Sequence, residues 1–241
     1  MDALIYTALS GAERGLHAQQ VHANNLANMD TPGFRATLEM SSAQTVPGYG
    51  YDARHKSVLQ ANTLSTREGT LKATGRDLDV AIAGQGYIAV QWGEGEAYVR
   101  TAALTLDADG TLNANGRPVL GDGGPIVLPP YSSIAIGNDG TISLQPEGQP
   151  TMQVFDKLKL VTADAAQLTK NEAGLIVTRS GEALPANERV ALRSRHLEGS
   201  NVSAVEEMVA TMALNRSFEM QMKLYNAADS MTQIGNRLVG A

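Results

Sequence analysis

Two long stretches without proline, one at each end of the chain, constrain its fold more than any other feature. From Ala3 to Asn28, the residues Ile5, Leu9, Ala12, Leu16, Gln19, Ala23 and Leu26 recur at alternating steps of four and three. That is the heptad seam of a coiled coil. From Ser203 to Val239, the residues Val205, Met208, Met212, Phe218, Met222, Tyr225 and Leu238 follow mostly helical intervals, interrupted by Asn215 and Asp229. At 1.5 Å per residue these helices would run to about 39 and about 55 Å, too long to fold back onto a small β-body. Each stripe therefore needs a partner. Every proline except Pro32 lies between residues 36 and 200, with most of the glycines. Residues that break helices are thus concentrated in the middle, which reads as β-structure set between two helices.

The expected fold class is α+β: long N- and C-terminal helices forming a discontinuous coiled-coil domain, with an inserted, mainly antiparallel all-β domain. The expected divisions are residues 1–35 plus 200–241 for the terminal helical domain, 36–75 for an extended connector, and 76–199 for the β-rich body. The connector is rich in Ser, Thr, Ala, Gln and Gly and has little periodicity, with a short strand expected from Ser57 to Leu64. From Leu78 the pattern alternates, with Val80 and Ile82 on one side and Asp79, Ala81 and Ala83 on the other. This is a strand. Further short strands follow, down to one expected from Val190 to His196, and Asp109-Gly110, Asn115-Gly116 and Asp139-Gly140 mark turns between them.

The helix ends carry their own signals. Asn28 suits a left-handed exit, Pro32-Gly33 suits the central positions of a type II turn, and Phe34 would be an apolar anchor directly after it. Ser203-Ala204-Val205-Glu206 is a capping box, in which Ser203 and Glu206 satisfy each other's backbone amides.

Composition removes several classes of function. A net charge of −6, with no cluster of Lys and Arg, gives no electrostatic basis for binding nucleic acid or anionic lipid. Cysteine is absent, which excludes disulfides, thiolate nucleophiles and Cys-ligated zinc. The N-terminus does not read as a secretory signal peptide, and no apolar run approaches the ~18 residues of a membrane span. Gly84-Gln85-Gly86 is followed by a strand where a nucleotide loop requires a helix. Asp107-Ala108-Asp109-Gly110 resembles the start of a calcium loop, but Pro118 occupies the place of its final glutamate. His17 and His22 are five residues apart, the wrong spacing to grip one zinc from a helix, and the adjacent Glu206 and Glu207 point apart. No catalytic, cofactor or metal constellation results, so an enzyme is not expected. Met208, Met212, Met220, Met222 and Met231 crowd the last helix, where an adaptable binding face or ordinary packing would equally need a partner.

Three blocks resemble the bacterial flagellar rod and hook proteins. Asn25-Leu26-Ala27-Asn28-Met29-Asp30-Thr31-Pro32-Gly33-Phe34-Arg35 is similar to the family's N-terminal signature, with Asn25, Asn28, Thr31, Gly33, Phe34 and Arg35 at its key positions. Arg76 to Ile82 is similar to its first β-segment, and Leu197 to Met208 to its C-terminal block. Pro32 to Ala36 and Phe218 to Lys223 are nearer the proximal than the distal rod branch. The resemblance implies a structural subunit of the flagellar basal-body rod, the tubular shaft that transmits torque for motility. It also implies an assembly interface along the two apolar stripes, a location within the periplasm, and export without a cleaved signal peptide. The implied partners are copies of itself, other proximal and distal rod proteins, and the flagellar type III export apparatus. The alternative reading is a periplasmic or surface glycan-binding β-domain on a helical oligomeric stalk.

Overall fold

A computed structural model describes residues 2–45 and 55–239, without the side chains of 2–8, 59–61, 236 and 238–239. Two helices, α1 (Asp2–Ala27) and α2 (Ala204–Val239), flank a chain that is otherwise almost entirely short strands and turns. The chain divides into two compact units, one of residues 1–27, 37–63 and 202–241, the other of residues 28–36 and 64–201.

In the first unit, the strands Thr37–Thr45 and His55–Leu64 pair as a two-stranded sheet, and the former packs against α1. This overturns the expected fold class. The β-structure is interspersed through the chain rather than confined to one inserted domain, and part of it shares a unit with the helices. The alternation of Thr37–Thr45 escaped detection because it is inverted. Thr37 and Glu39 turn inward while Leu38 and Met40 are exposed. The expected coiled coil is absent as well. The two helices pair, but Leu9 and Leu16 of the predicted seam are each 51% exposed, as are Val205 and Met212 at 71% and 61%.

The second unit holds two five-stranded antiparallel sheets. One runs in the order Ala191–Ser194, Asp79–Ala83, Thr101–Leu106, Leu112–Ala114, Arg117–Pro118. The other runs Leu160–Val161, Tyr87–Trp92, Gly95–Val99, Ile176–Thr178, Leu168–Lys170. A three-stranded sheet, Tyr131–Ile136, Thr141–Pro146 and Gln153–Lys157, adds Ile134, Ile136, Ile142 and Leu144 to the main core, where they join Val80, Ile82, Leu104 and Leu112. Burial of such aliphatic side chains stabilises the unit by roughly 1.5–3 kcal/mol each.

Local chemistry sets the turns. Asn115 and Gly116 both have positive φ, 51° and 75°, as a type I′ hairpin requires. The stretch expected as one strand from Val190 to His196 is broken at Arg195, whose φ is 60°. Ala191–Ser194 therefore pairs with Asp79–Ala83, while His196–Glu198 pairs with Leu71–Ala73 in a different sheet. The Arg195 carbonyl accepts from Thr74 N, and its guanidinium pairs with Asp77 at 2.6 Å.

Tyr98 anchors the smaller core cluster, its hydroxyl accepting from Leu184 N at 2.8 Å and donating to Glu96 at 3.1 Å. Burial is the main reason its pKa is pushed up to about 12. The unfolded chain loses this proton above pH 10, whereas the folded chain keeps it to about pH 12, so stability falls across that window. Denaturant titrations at several pH values should show a wild-type decline from pH 10 to 12 that is shallower in Tyr98→Phe.

Candidate functional site

The segment that leaves α1 turns sharply. Thr31 N donates to Asn28 O and Phe34 N to Thr31 O, both at 3.2 Å, with Gly33 at φ 69° directly after Pro32. A Cβ on Gly33 would stand 2.8 Å from Thr101 Cγ2, so this glycine is required by close approach as well as by backbone angle. Asn28 does not make the left-handed exit expected of it. The described non-glycine residues with positive φ are Asn115 and Arg195, and Asn28 instead receives Thr31 through its backbone and side-chain oxygens. Thr31 and Pro32 are exposed.

Arg35 enters a buried ionic cluster. Its Nη2 donates to Glu198 Oε1 at 2.8 Å, and Arg100 Nε donates to Glu198 Oε2 at 2.9 Å, all three side chains being almost fully buried. The remaining polar capacity is largely used: Gly69 N donates to Glu198 Oε1, Arg100 Nη1 to Gly86 O, and Arg35 Nη1 to Thr66 O. Burial, followed by the neighbouring Arg100 charge, holds the Arg35 pKa below its usual value against the pull of Glu198. Arg100 also faces the Tyr87 ring at 5.8 Å. Beside the cluster, Gly33 N donates to Glu198 O at 2.8 Å, Asn201 N donates to Phe34 O, and Ala36 N donates to Asn201 Oδ1 at 2.7 Å. The outgoing and returning chain segments are thus bound to each other on both sides of Arg35. Phe34 lies under Lys170, whose Nζ is 3.4 Å from the ring centroid, buried and without a hydrogen-bond partner. Burial lowers the Lys170 pKa to about 8.

Asn25 is buried on α1, where its side-chain amide pairs with Thr37 as a strand backbone would, accepting from Thr37 N at 2.9 Å and donating to Thr37 O at 3.0 Å. It also donates to Glu207 Oε1 at 3.2 Å, while Glu207 Oε2 contacts His22 Nδ1. Further along the antiparallel pair, Gln19 donates to Asn215 at 3.2 Å, and Gln221 lies against Gly11. Asn215, which interrupts the apolar pattern in the sequence, is therefore a pairing residue. The less exposed positions of α2 include Ala204, Glu207, Ala210, Thr211, Leu214, Ser217 and Gln221; those of α1 include Gly15, Ala18, Val21, His22 and Asn25. Most of these stand one residue before a position of the predicted stripes. One residue is about 100° around a helix, so the pair closes mainly on small and polar side chains, and most of the larger residues of the apolar stripes are turned away.

Leu9, Leu16, Ala23, Val205, Met208, Met212, Phe218, Met222 and Tyr225 are accordingly exposed, and Ala12 and Leu26 are half-buried at the margin. The Ile5 and Leu238 side chains lie outside the described residues. Ser203 Oγ accepts from Glu206 N at 3.4 Å, and Glu206 and Glu207 place negative charge in the first turn of α2. No group of three or more potential metal ligands occurs among the described residues. Sequence reasoning missed Arg100, Thr101, Lys170 and the pairing roles of His22 and Glu207. Arg100 and Lys170 carry no local pattern, whereas the acidic Glu198 within the Leu197–Met208 block was a usable signal.

Comparison with known proteins places these elements in one group. Residues 5–35 match the flagella basal body rod protein family, 81–144 the D1 domain of flagellar hook protein FlgE/F/G, and 193–238 the C-terminal region of flagellar basal body rod FlgEFG proteins. The chain is 38% identical to the flagellar basal-body rod protein FlgF of Salmonella typhimurium and to that of Escherichia coli, each match covering 99% of both chains. It is 31% identical to the flagellar basal-body rod protein FlgG of Bacillus subtilis, over 95% of this chain and 96% of that one.

Two measurements address the cluster and its neighbour. Glu198→Ala leaves two buried guanidinium groups uncompensated and is expected to lower unfolding free energy by about 3–5 kcal/mol in denaturant titration. For Lys170 the folded chain gives up its proton near pH 8 and the unfolded chain near 10.5, so stability should rise across that interval. Lys170→Met should remove that rise.

Proposed function

We propose, for a chain that belongs to the family of bacterial flagellar basal-body rod proteins, that its terminal helices dock onto neighbouring subunits through the apolar stripes they turn outward. As a member of that family it is a structural subunit of the rod in the flagellar basal body, and it serves motility by assembling with other rod proteins. The observation that carries the proposal is the one-residue offset between the face that closes the helix pair and the face that is apolar. Leu9, Leu16, Val205, Met208, Met212 and Met222 form exposed apolar surface of the kind that marks an interface. Methionine lets such a surface adapt to more than one neighbour.

A subunit whose docking and receiving surfaces differ makes heterologous contacts, which extend into a helical array rather than closing as a dimer. The same reading takes copies of this chain and both proximal and distal rod proteins as neighbours, with the proximal rod as its place. Higher identity to the FlgF proteins of Salmonella typhimurium and Escherichia coli, 38%, than to the FlgG of Bacillus subtilis, 31%, supports that position. It includes a periplasmic site, delivery by the flagellar type III export apparatus without a cleaved signal peptide, and no catalytic role. The family motifs at both ends support these assignments.

The test is assembly. Leu16→Asp and Met212→Asp, introduced separately, are expected to stop incorporation into isolated basal bodies and to abolish swimming. Because both residues are exposed, the purified chain should change in stability by no more than about 0.5 kcal/mol. Basal bodies of normal composition in either variant would overturn the docking role.

A further inference from the structure

The stripes that close the helix pair are built mostly from small side chains repeating at heptad spacing. Gly11 on α1 lies against Gln221 of α2, and Gly15 and Ala18 continue that stripe on α1 as Leu214 and Ser217 do on α2. Such a surface does not by itself distinguish one register from another displaced by seven residues, because small side chains present similar grooves at each repeat. The exception is a polar layer near the start of α2. There Glu207, its side chain only 12% exposed, receives the Asn25 amide on one carboxylate oxygen and the His22 ring on the other.

We propose that His22, Asn25 and Glu207 are a register key, which fixes how far α2 can slide along α1. A seven-residue slide would set His22 against Leu214 or, in the opposite direction, Glu207 against Gly15. Either leaves a half-buried carboxylate without its two donors, a heavy penalty in a poorly hydrated site. A buried polar residue serves the same purpose in coiled coils, where it selects one register at some expense of stability. Asn25 ties the key to the strand Thr37–Thr45 through both of its Thr37 bonds, so the register is referred to a third element rather than to the helices alone. Nearby on these elements, Glu39 of that strand is engaged by Arg14 at 3.2 Å, and His17 lies on α1. Gln19 and Asn215 form a second, more exposed polar pair in the same register. The proposal concerns the isolated chain and does not depend on the docking reading.

The chain contains no cysteine, so spin labels can be placed without background at Glu13→Cys and Glu219→Cys, both exposed. Pulsed electron–electron resonance on the full-length chain should give one dominant distance in the otherwise native protein and in Glu207→Gln, which can still hydrogen-bond. In His22→Leu/Glu207→Leu, which keeps apolar packing but removes the key, a second population displaced along the helix is expected. Seven residues correspond to a slide of about 10 Å. Far-UV circular dichroism should remain that of the native chain. A single unchanged distance in the double variant would overturn the proposal, and so would the absence of a dominant distance in the native protein. Loss of helix in the double variant would also overturn it, because the layer would then be stabilising the pair rather than selecting its register.

Discussion

The carboxylate of Glu198, held between the guanidinium groups of Arg35 and Arg100, is the contact on which the crossing of the two chain segments depends. A buried carboxylate is tolerable only when nearly every lone pair is occupied, and here two arginines and the Gly69 amide supply the donors. That requirement dictates the surroundings. Gly33 must come close enough to donate to the Glu198 carbonyl, which excludes a side chain there, and Gly69 must pass against the Gly199 carbonyl, where a Cβ would collide. Asn201 then joins the backbones on either side. The arginine and the acid come from opposite ends of the sequence, within the two terminal regions matched by rod-family models.

The helix pair follows a different logic. Its contact face is small and hydrogen-bonded, so it allows close approach while burying little hydrocarbon. The larger apolar side chains point elsewhere. Hydrophobic burial is the main favourable term in folding and association, and for these helices much of it is left unrealised within the chain. This outward apolar surface is what the proposed docking onto neighbouring subunits would cover. The β-rich unit is the reverse case. Its core of Val80, Ile82, Leu104, Leu112, Ile126 and Ile142 is closed within the chain and owes nothing to a neighbour.

Legibility in the sequence follows the range of the interaction involved. The proline-free stretches fall on α1 and α2 because proline acts on the turn in which it stands. The strand Asp79–Ala83 was visible in the alternation from Leu78, and Asn115-Gly116 in the turn chemistry, both local effects. The strand Thr37–Thr45 was hidden because its inward positions are Thr and Glu, and its pairing with His55–Leu64 was not foreseen. Arg195 concealed a change of sheet inside what reads as one strand, since its left-handed backbone is held by bonds to Thr74, Gly75 and Asp79 across the fold. Of the candidate site, the corner residues and the apolar stripes could be named from spacing. Arg100 and Lys170 could not, because their significance lies in what they touch across the fold.

What the sequence by itself determined were the positions of the helices, the turn residues, the apolar stripes and the family signature, each set by residues within a few places of one another. Only the tertiary structure decided which face of each helix closes the pair. A periodic pattern defines a stripe but is silent about whether that stripe meets its own chain or another. The choice was made by His22, Asn25 and Gln19 finding Glu207 and Asn215 across the pair. Those polar groups require one another when brought out of water, whereas the apolar stripe one residue away can be satisfied by any complementary surface that arrives.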